Sequence, residues 1–471
     1  MALKLLLALT ILGALVPFFH GVTASTSLSP LNGSNGGFSL RLVANHESAH
    51  NDLASLQRAT NHVKCRITNH LLPSGTITNI TVNAVRPLVC PVTDMMYAVM
   101  VGIGTGHQSK SYKLALDMAT GLTWMQCTPR HPCLRQYNPV FNPTQSPTFH
   151  HVSANDGILC RAPYKPHQNG MCGFEVGFLS SHGSASGVLA KDTFSFPKSG
   201  HEVRFELLPG MVFGCAHHTE HFNTHEVLAG VLGLGMWKSS KPPTFFTKQI
   251  NQGEGVRFSY CPFPPGMSTY NFLRFGNDIP SHPLPNVHRQ STPILMPAQA
   301  NDGYYVKLTG VSVGGIRVSS VTPEMFRRGA RGKGGCVIDI GTKMSVFVNE
   351  AYIHIESAVR HYLQIHGAQP VQLHGHHLCV HKSSAHRDVL PSMTLHFDNN
   401  AGLRVMPEHV FLEIVHANIH YMCIAFFPSL ELTVIGARQQ INHRFIFDLH
   451  ARTPTISFNP ENCHLDAGTQ S

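Results

Sequence analysis

Two short apolar runs, one in each half of the chain, end in an aspartate. Residues 114–116 (Leu-Ala-Leu) lead to Asp117, and residues 336–338 (Cys-Val-Ile) lead to Asp339. The two aspartates are 222 residues apart in a chain of 471 residues. Each run is typical of a buried strand, so each aspartate is predicted where a strand enters a loop. This repetition predicts a duplicated chain whose two halves each contribute a carboxylate, which suits a reaction that needs one acid and one base.

The residues after the two aspartates also correspond. Thr120 and Thr342 both stand three places after an aspartate, and Gly341 stands two places after Asp339. Trp124 lies in the apolar segment that resumes after the first loop. Hydroxyl groups at the third place can orient a carboxylate, so these four neighbours are predicted to support the pair.

Both loops resemble the Asp-Thr/Ser-Gly-Ser/Thr loops of pepsin-type aspartic peptidases, and more closely those of plant nepenthesin-like peptidases and the related xylanase-inhibitor proteins. The similarity runs from about Gly37 to Cys463 and includes, in order, residues 102–106, 187–194, 229–235 and 434–436. It implies a mainly β, bilobal pepsin-like fold with the active cleft between two β-rich lobes. It also implies a monomeric endopeptidase with Asp117 and Asp339 as catalytic residues, a protein or peptide substrate and no cofactor.

Several positions depart from the family pattern. Met118 and Ile340 follow the aspartates where family members often carry a hydroxyl that bonds across to the opposite loop. Ala119 replaces a glycine, which matters if that backbone needs a conformation reserved for glycine. Phe178 or Leu179 stands in place of the tyrosine of the flap, and neither can donate a hydroxyl hydrogen bond. These departures predict weak or absent peptidase activity, and the alternative is a binding protein on the same fold, such as a glycosidase (xylanase) inhibitor.

A metal-dependent hydrolase is the third interpretation, because histidine and cysteine cluster at three places. The clusters lie at 127–133 (Cys127, His131, Cys133), at 217–221 (His217, His218, His221) and at 374–381 (His374, His376, His377, Cys379, His381). A zinc knuckle at the first cluster lacks a second CxxC pair, and the second cluster lacks an obvious carboxylate partner. Cys379 cannot bind a metal if it is bridged. The sequence therefore favours solvated histidines over a metal site.

The beginning of the chain predicts secretion. Lys4 precedes the apolar residues 5–19, and small residues follow, which is the pattern of a signal peptide at 1–24. A membrane anchor is the alternative, but the apolar run is short, and no later run is long enough to span a bilayer. The predicted destination is the extracellular space or apoplast, or the vacuole.

The other boundaries follow the family pattern. Residues 25–94 are predicted as a pro-segment that carries both glycosylation sequons, although 68–94 would equally suit a disordered linker. Residues 95–285 and 286–471 are predicted as the N-terminal and C-terminal lobes, because 276–302 is rich in proline, asparagine and serine. The mature protein is expected to start between about Cys90 and Tyr97.

Twelve cysteines in a secreted chain predict disulfides. The resemblance suggests Cys261 with Cys463 and Cys379 with Cys423. In the first half it places cysteines 127, 133, 160, 172 and 215 at family-like positions, and it leaves Cys65, Cys90 and Cys336 without an assignment.

The sequence argues against two further interpretations, a nucleic-acid partner and a nucleotide-binding loop. Net charge is +9, but lysine and arginine are scattered, so a nucleic-acid partner is not expected. The segment 102–106 (Gly-Ile-Gly-Thr-Gly) imitates a nucleotide-binding loop, but residues 111–117 after it predict a strand where a helix would be required.

One helix is predicted near 350–365, with apolar positions at Ile353, Ile355, Val359 and Leu363.

Overall fold

The computed structural model describes residues 39–43, 89–92, 96–105, 110–129, 140–177, 184–198, 204–220, 228–236, 257–264, 270–281, 285–295, 303–329, 333–373, 377–386 and 389–465. The predicted signal peptide, the sequons, Phe178 and Leu179 lie outside these residues. All described residues belong to one unit, which spans Gly36–Ser471.

Strands dominate the described residues, as the short alternating apolar segments predict. The first half contains β1 (Ser39–Val43), β2 (Val89–Val92), β3 (Met96–Ile103), β4 (Lys110–Asp117), β5 (Trp124–Gln126), β6 (His150–His151), β7 (Lys165–Pro166), β8 (Cys172–Gly177), β9 (Ser184–Lys198), β10 (Arg204–Glu220), β11 (Gly230–Gly233), β12 (Arg257–Tyr260) and β13 (Tyr270–Phe275).

The second half contains β14 (Gln290–Pro293), β15 (Tyr304–Val306), β16 (Leu308–Val313), β17 (Ile316–Arg317), β18 (Cys336–Ile338), β19 (Ser345–Val348), α1 (Asn349–Ile365), β20 (Val371–Leu373), β21 (His377–His381), β22 (Met393–Phe397), β23 (Gly402–Val405), α2 (Pro407–Val410), β24 (Phe411–His416), β25 (Ile419–Ile424), β26 (Phe426–Ser429), β27 (Thr433–Ile435), α3 (Ala437–Gln440), β28 (His443–Asp448) and β29 (Thr455–Pro460). Short 3-10 helices lie at Pro143–Gln145, Gln168–Gly170, Gly276–Asp278, Pro323–Phe326, Lys382–Ser384, Asp398–Asn400 and Cys463–Leu465.

The two halves build corresponding sheets, which confirms the predicted bilobal, mainly β fold. In the first lobe β11 runs parallel to β4 and antiparallel to β5, and β5 runs parallel to β10. In the second lobe β27 runs parallel to β18 and antiparallel to β19, and β19 runs parallel to β26. Asp117, the last residue of β4, and Asp339, the residue after β18, therefore stand at the end of a strand in the same position of a repeated sheet.

A six-stranded sheet joins the halves in the order β1-β13-β12-β28-β29-β14. Rings from both halves stack within it: Phe258 lies 4.6 Å from Phe447 and Tyr260 lies 5.6 Å from Phe445, between centroids. All four side chains are fully buried. Burying one such ring stabilises the folded state by about 1.5–3 kcal/mol, so this sheet holds the two lobes together. Its edge strand, β1, comes from the predicted pro-segment and pairs with β13.

Helix α1 has the predicted position and begins one residue earlier than expected. One of its predicted core positions is wrong, because Ile353 is 53% exposed. Ile355, Val359 and Leu363 are buried as predicted, and Ala351 is the fourth buried residue of their stripe. These four residues repeat every four places, so they form one stripe that Ile353 cannot join.

Four disulfides occur in the described residues, and two of them confirm the pairings that the resemblance suggested. They are Cys127–Cys215, Cys160–Cys172, Cys261–Cys463 and Cys379–Cys423. Cys336 is a buried free thiol, and burial raises its pKa, so it is not a reactive thiolate.

The bridges also bear on the metal clusters. Cys127 and Cys379 are both bridged, so neither can supply a thiolate ligand. His218 does have a carboxylate partner that the sequence did not suggest, since its Nε2 lies 3.0 Å from Glu220. In the described residues no group of three or more histidine, cysteine, aspartate or glutamate side chains is arranged to hold a metal.

Among the described residues no helix has the length and apolar character needed to cross a membrane.

Candidate active site

Asp117 is the last residue of β4, whose preceding residues Tyr112 to Leu116 are buried. Strand β11 lies behind the loop that follows, and the Leu234 amide donates to the Asp117 carbonyl at 2.8 Å. Gly233 has to be a glycine, because a Cβ there would lie 2.6 Å from the Thr120 carbonyl oxygen. The close approach of β11 therefore fixes the backbone that presents Asp117.

Asp339 directly follows β18, and its surroundings repeat those of Asp117. The Asp339 amide donates to the Ile435 carbonyl at 3.1 Å, and the Ala437 amide donates to the Thr342 carbonyl at 2.7 Å. A Cβ on Gly436 would lie 2.8 Å from the Thr342 carbonyl oxygen. The apolar-apolar-Gly segments of both lobes thus lie behind the loops, as the sequence predicts.

The two loops meet directly. The Met118 amide donates to Oδ1 of Asp339 at 3.2 Å, although the two residues are 221 positions apart. A Cβ on Gly341 would lie 2.8 Å from the Leu116 carbonyl oxygen and 3.1 Å from the Asp117 Cα. Contacts this close bring the two predicted catalytic aspartates to one place in the structure.

Each carboxylate is held by its own loop. Oδ1 of Asp117 accepts hydrogen bonds from the Ala119 amide at 2.6 Å and the Thr120 amide at 2.9 Å. Oδ1 of Asp339 accepts from the Gly341 amide at 2.9 Å, and its Oδ2 accepts from the Thr342 hydroxyl at 2.6 Å. The two threonines and Gly341 each donate a hydrogen bond to the carboxylate of their own loop.

Burial shifts the ionisation of both aspartates. Desolvation and then the charge of Asp339 raise the pKa of Asp117 from 3.8 to about 7, and the amides of its own loop partly offset this. Desolvation also raises the pKa of Asp339, and the Thr342 hydroxyl and the Gly341 and Met118 amides oppose the rise. Two carboxyl groups this close cannot both ionise easily, so the pair holds one shared proton over a wide pH range. With one proton between them, one aspartate can act as an acid and the other as a base.

The raised pKa predicts a pH dependence of stability. Because the folded state binds the Asp117 proton more tightly than the unfolded chain, this group favours folding below about pH 3.8, and its contribution is lost as pH rises to about 7. The Tm of the wild-type protein is therefore expected to fall over this range more steeply than the Tm of Asp117→Asn. Calorimetry of both proteins at matched pH values measures the difference. Parallel curves would contradict the shift, since histidine titration is common to both proteins.

The residues beside the aspartates are buried and apolar. Met118 and Ile340 are both 0% exposed and belong to the same hydrophobic cluster. Neither side chain can donate a hydrogen bond across to the opposite loop. The Met118 backbone amide makes a crossing bond instead. The loops are thus joined by backbone and packing at positions where the family pattern has hydroxyl groups.

Ala119 does not need to be a glycine for conformational reasons. It is not among the non-glycine residues with a positive φ in the described part of the chain. Its amide also makes the short bond to Asp117. The concern that alanine would distort this loop is therefore not supported by the backbone angles. The two loops do differ, because Gly341 in the opposite loop has no room for a Cβ.

Trp124 is buried where the first loop ends and β5 begins. It begins β5, pairs with Gly214 and Val231, and is 0% exposed. Its hydrophobic cluster also includes Phe174 and Leu189 of β8 and β9. These strands are the two arms of the predicted flap hairpin and pair up to Gly177 and Ser184. Packing of Trp124 therefore connects the first loop to the base of the flap.

The sequence did not reveal a pair of hydroxyl residues behind the loops. Oγ1 of Thr123 accepts from the Gly233 amide at 3.2 Å, and Oγ of Ser345 accepts from the Gly436 amide at 2.9 Å. Both residues stand six places after an aspartate, so the repeat itself contained a signal. Tyr260, whose hydroxyl bonds to Gln440, was also missed as part of this region.

The chain is similar to known proteins over most of its length. Two family models match the chain, xylanase inhibitor N-terminal at residues 97–277 and xylanase inhibitor C-terminal at residues 303–459. Aspartyl protease family protein 2 of Arabidopsis thaliana is 29% identical over 77% of this chain and 70% of its own length. Aspartic proteinase nepenthesin-1 of Nepenthes gracilis is 27% identical over 79% of this chain and 78% of its own.

Solved structures show the same fold. Basic 7S globulin from soybean superposes with a TM-score of 0.60 at 15% identity and covers 93% of this chain and 100% of its own. Conglutin gamma from lupine seeds superposes with a TM-score of 0.57 at 18% identity, covering 77% of this chain and 91% of its own. At these identities the likeness concerns the fold alone.

Proposed function

Because the chain belongs to the plant family of pepsin-like aspartic proteases, we propose that it is an endopeptidase that hydrolyses peptide bonds by a water activated between Asp117 and Asp339. The observation that carries the proposal is the bond from the Met118 amide to the Asp339 carboxylate. It joins the two loops at the point where the aspartates lie. The family pattern alone would leave open whether these altered loops still meet.

The hydrogen bonds suggest how the shared proton is placed. Asp339 accepts bonds from the Thr342 hydroxyl and from amides of both loops, so its charged form is the better stabilised. Asp117 has its pKa raised to about 7 and retains the proton in acid. In this mechanism Asp339 takes a proton from the water while Asp117 donates one to the carbonyl oxygen of the peptide. Acid and base both come from the chain, so no cofactor is required.

Cleavage of an acid-denatured protein over a range of pH tests this function. Activity is expected in acid and should be lost above about pH 7, where the pair gives up its last proton. Pepstatin should abolish cleavage, and a chelator should leave it unchanged. Activity that persists at pH 8 or that disappears with the chelator would contradict a carboxylate mechanism.

A binding function on the same fold is the second candidate, and two observations favour it. The positions beside both aspartates are apolar and buried, and the matching family models are described as xylanase inhibitor domains. In that case the correctly processed protein would slow a xylanase in an inhibition assay and would not cleave denatured protein at any pH. Cleavage without inhibition would exclude it.

A further inference from the structure

Two fully buried tyrosines lie behind the candidate active site, and the first is tied to the Asp117 loop. The hydroxyl of Tyr304 donates to the Leu234 carbonyl at 2.7 Å. The amide of Leu234 in turn donates to the Asp117 carbonyl at 2.8 Å. Tyr304 also pairs with Ile338, the residue immediately before Asp339. One side chain therefore connects the strand of one aspartate to the loop of the other.

The second tyrosine is tied to the Asp339 loop. The hydroxyl of Tyr260 donates to Oε1 of Gln440 at 2.6 Å, and Nε2 of Gln440 donates to the Ile435 carbonyl at 2.7 Å. The same carbonyl accepts the Asp339 amide at 3.1 Å. Gln440 is 0% exposed, so its two bonds have no competition from water. The position of the Asp339 backbone thus depends on this chain of bonds.

Both tyrosines pack against one aromatic side chain of the six-stranded sheet, Phe447. The ring centroid of Phe447 lies 5.6 Å from that of Tyr260 and 4.7 Å from that of Tyr304. Burial, then the charge of Asp339, raises the pKa of Tyr260 well above its usual value, so the phenol stays protonated and remains a donor. The two loops therefore share a rigid support beneath them.

We propose that Tyr260 and Tyr304 are positioning residues for the two catalytic aspartates. Their hydroxyl bonds fix the two loops relative to each other, because the loops lack side-chain hydroxyls that bond across to the opposite loop. The side chains of Met118 and Ile340 are buried and apolar, so they supply no hydroxyl bond between the two loops. The tyrosine bonds, by contrast, reach each loop through a backbone group next to or at the aspartate. This inference rests on the proposed peptidase function, because positioning has a catalytic effect only if the pair reacts.

The variants Tyr260→Phe and Tyr304→Phe test the proposal, since each removes one oxygen and keeps the ring. Each is expected to lower kcat roughly 10-fold with KM within about twofold, a smaller loss than the roughly 100-fold that a displacement of 1 Å can cause. The upper limb of the pH-rate profile should also move. Tyr97→Phe is the matched control, because Tyr97 is 1% exposed and its hydroxyl donates to the Phe263 carbonyl at 2.9 Å. It should lower Tm similarly and keep the wild-type kcat and pH profile.

The result that overturns the proposal is equal loss of Tm in all three variants with wild-type kcat and pH profile throughout. If the wild-type protein cleaves nothing, the peptidase function has failed, and the positioning role is then measured without activity. The pH at which the aspartate pair takes up its proton is obtained from Tm against pH, with Asp117→Asn as reference. A shift of that midpoint in Tyr260→Phe and Tyr304→Phe but not in Tyr97→Phe supports positioning, and an unchanged midpoint refutes it.

Discussion

Replacement of either Asp117 or Asp339 by asparagine is expected to lower kcat by roughly 1000-fold or more while the protein stays folded. Loss of a positioned acid or base typically costs 100-fold to 10,000-fold, and here one group of each kind is needed. Asparagine keeps the size and the Oδ1 acceptor, so the bonds from Ala119 or Gly341 can persist. Its amide nitrogen cannot accept or donate the reacting proton. Initial rates on a quenched peptide at acid pH measure the effect.

Two features separate this effect from misfolding or contamination. The control Asp398→Asn removes a surface carboxylate that pairs with Lys307 at 3.3 Å, and it should keep the wild-type rate. At neutral pH the Tm of Asp117→Asn should be equal to or higher than that of the wild-type protein, because one of two repelling carboxyl groups is gone. If Asp117→Asn kept the wild-type rate, the cleavage would come from another centre.

The parts of the site that the sequence predicted are those that depend on local order. Asp117, Asp339, the threonines and the apolar-apolar-Gly strands each belong to a short segment whose pattern fixes both its strand and its turn. The tyrosine supports were not predicted, because their bonds join residues far apart. Tyr260 and Gln440 are 180 positions apart, and Tyr304 and Leu234 are 70 apart. Nothing in either local segment indicates its partner.

One wrong prediction and one question that the sequence left open have similar causes. The apolar spacing in α1 admitted Ile353 as a core residue, but the tertiary contacts select the stripe that begins at Ala351. The alanine at position 119 raised a question of backbone conformation that only φ can answer. In both cases the residue type was compatible with more than one environment, so the choice was made by the surrounding structure.

Restoring the family pattern in the loops, with Met118→Thr, Ala119→Gly and Ile340→Ser, is expected to raise kcat by about 10-fold and to change KM by less than about twofold. The two new hydroxyls can bond across to the opposite loop, and better geometry between reacting groups acts on the chemical step more than on binding. Ala119 has no positive φ, so Ala119→Gly alone should leave kcat nearly unchanged. Steady-state kinetics at the acid optimum measures kcat and KM separately.

The restored variant has to be compared with one that changes packing without adding hydroxyls. Met118 and Ile340 are fully buried, so threonine and serine there leave unfilled volume and are expected to lower stability by about 1–3 kcal/mol each. The pair Met118→Leu with Ile340→Val also alters packing but offers no donor. A rise in kcat for the hydroxyl variant alone, measured well below its reduced Tm, would show that crossing bonds orient the aspartates. An equal rise in both variants would mean that looser packing is responsible, and no rise in either would mean that the Met118 amide and the tyrosines already place the pair correctly.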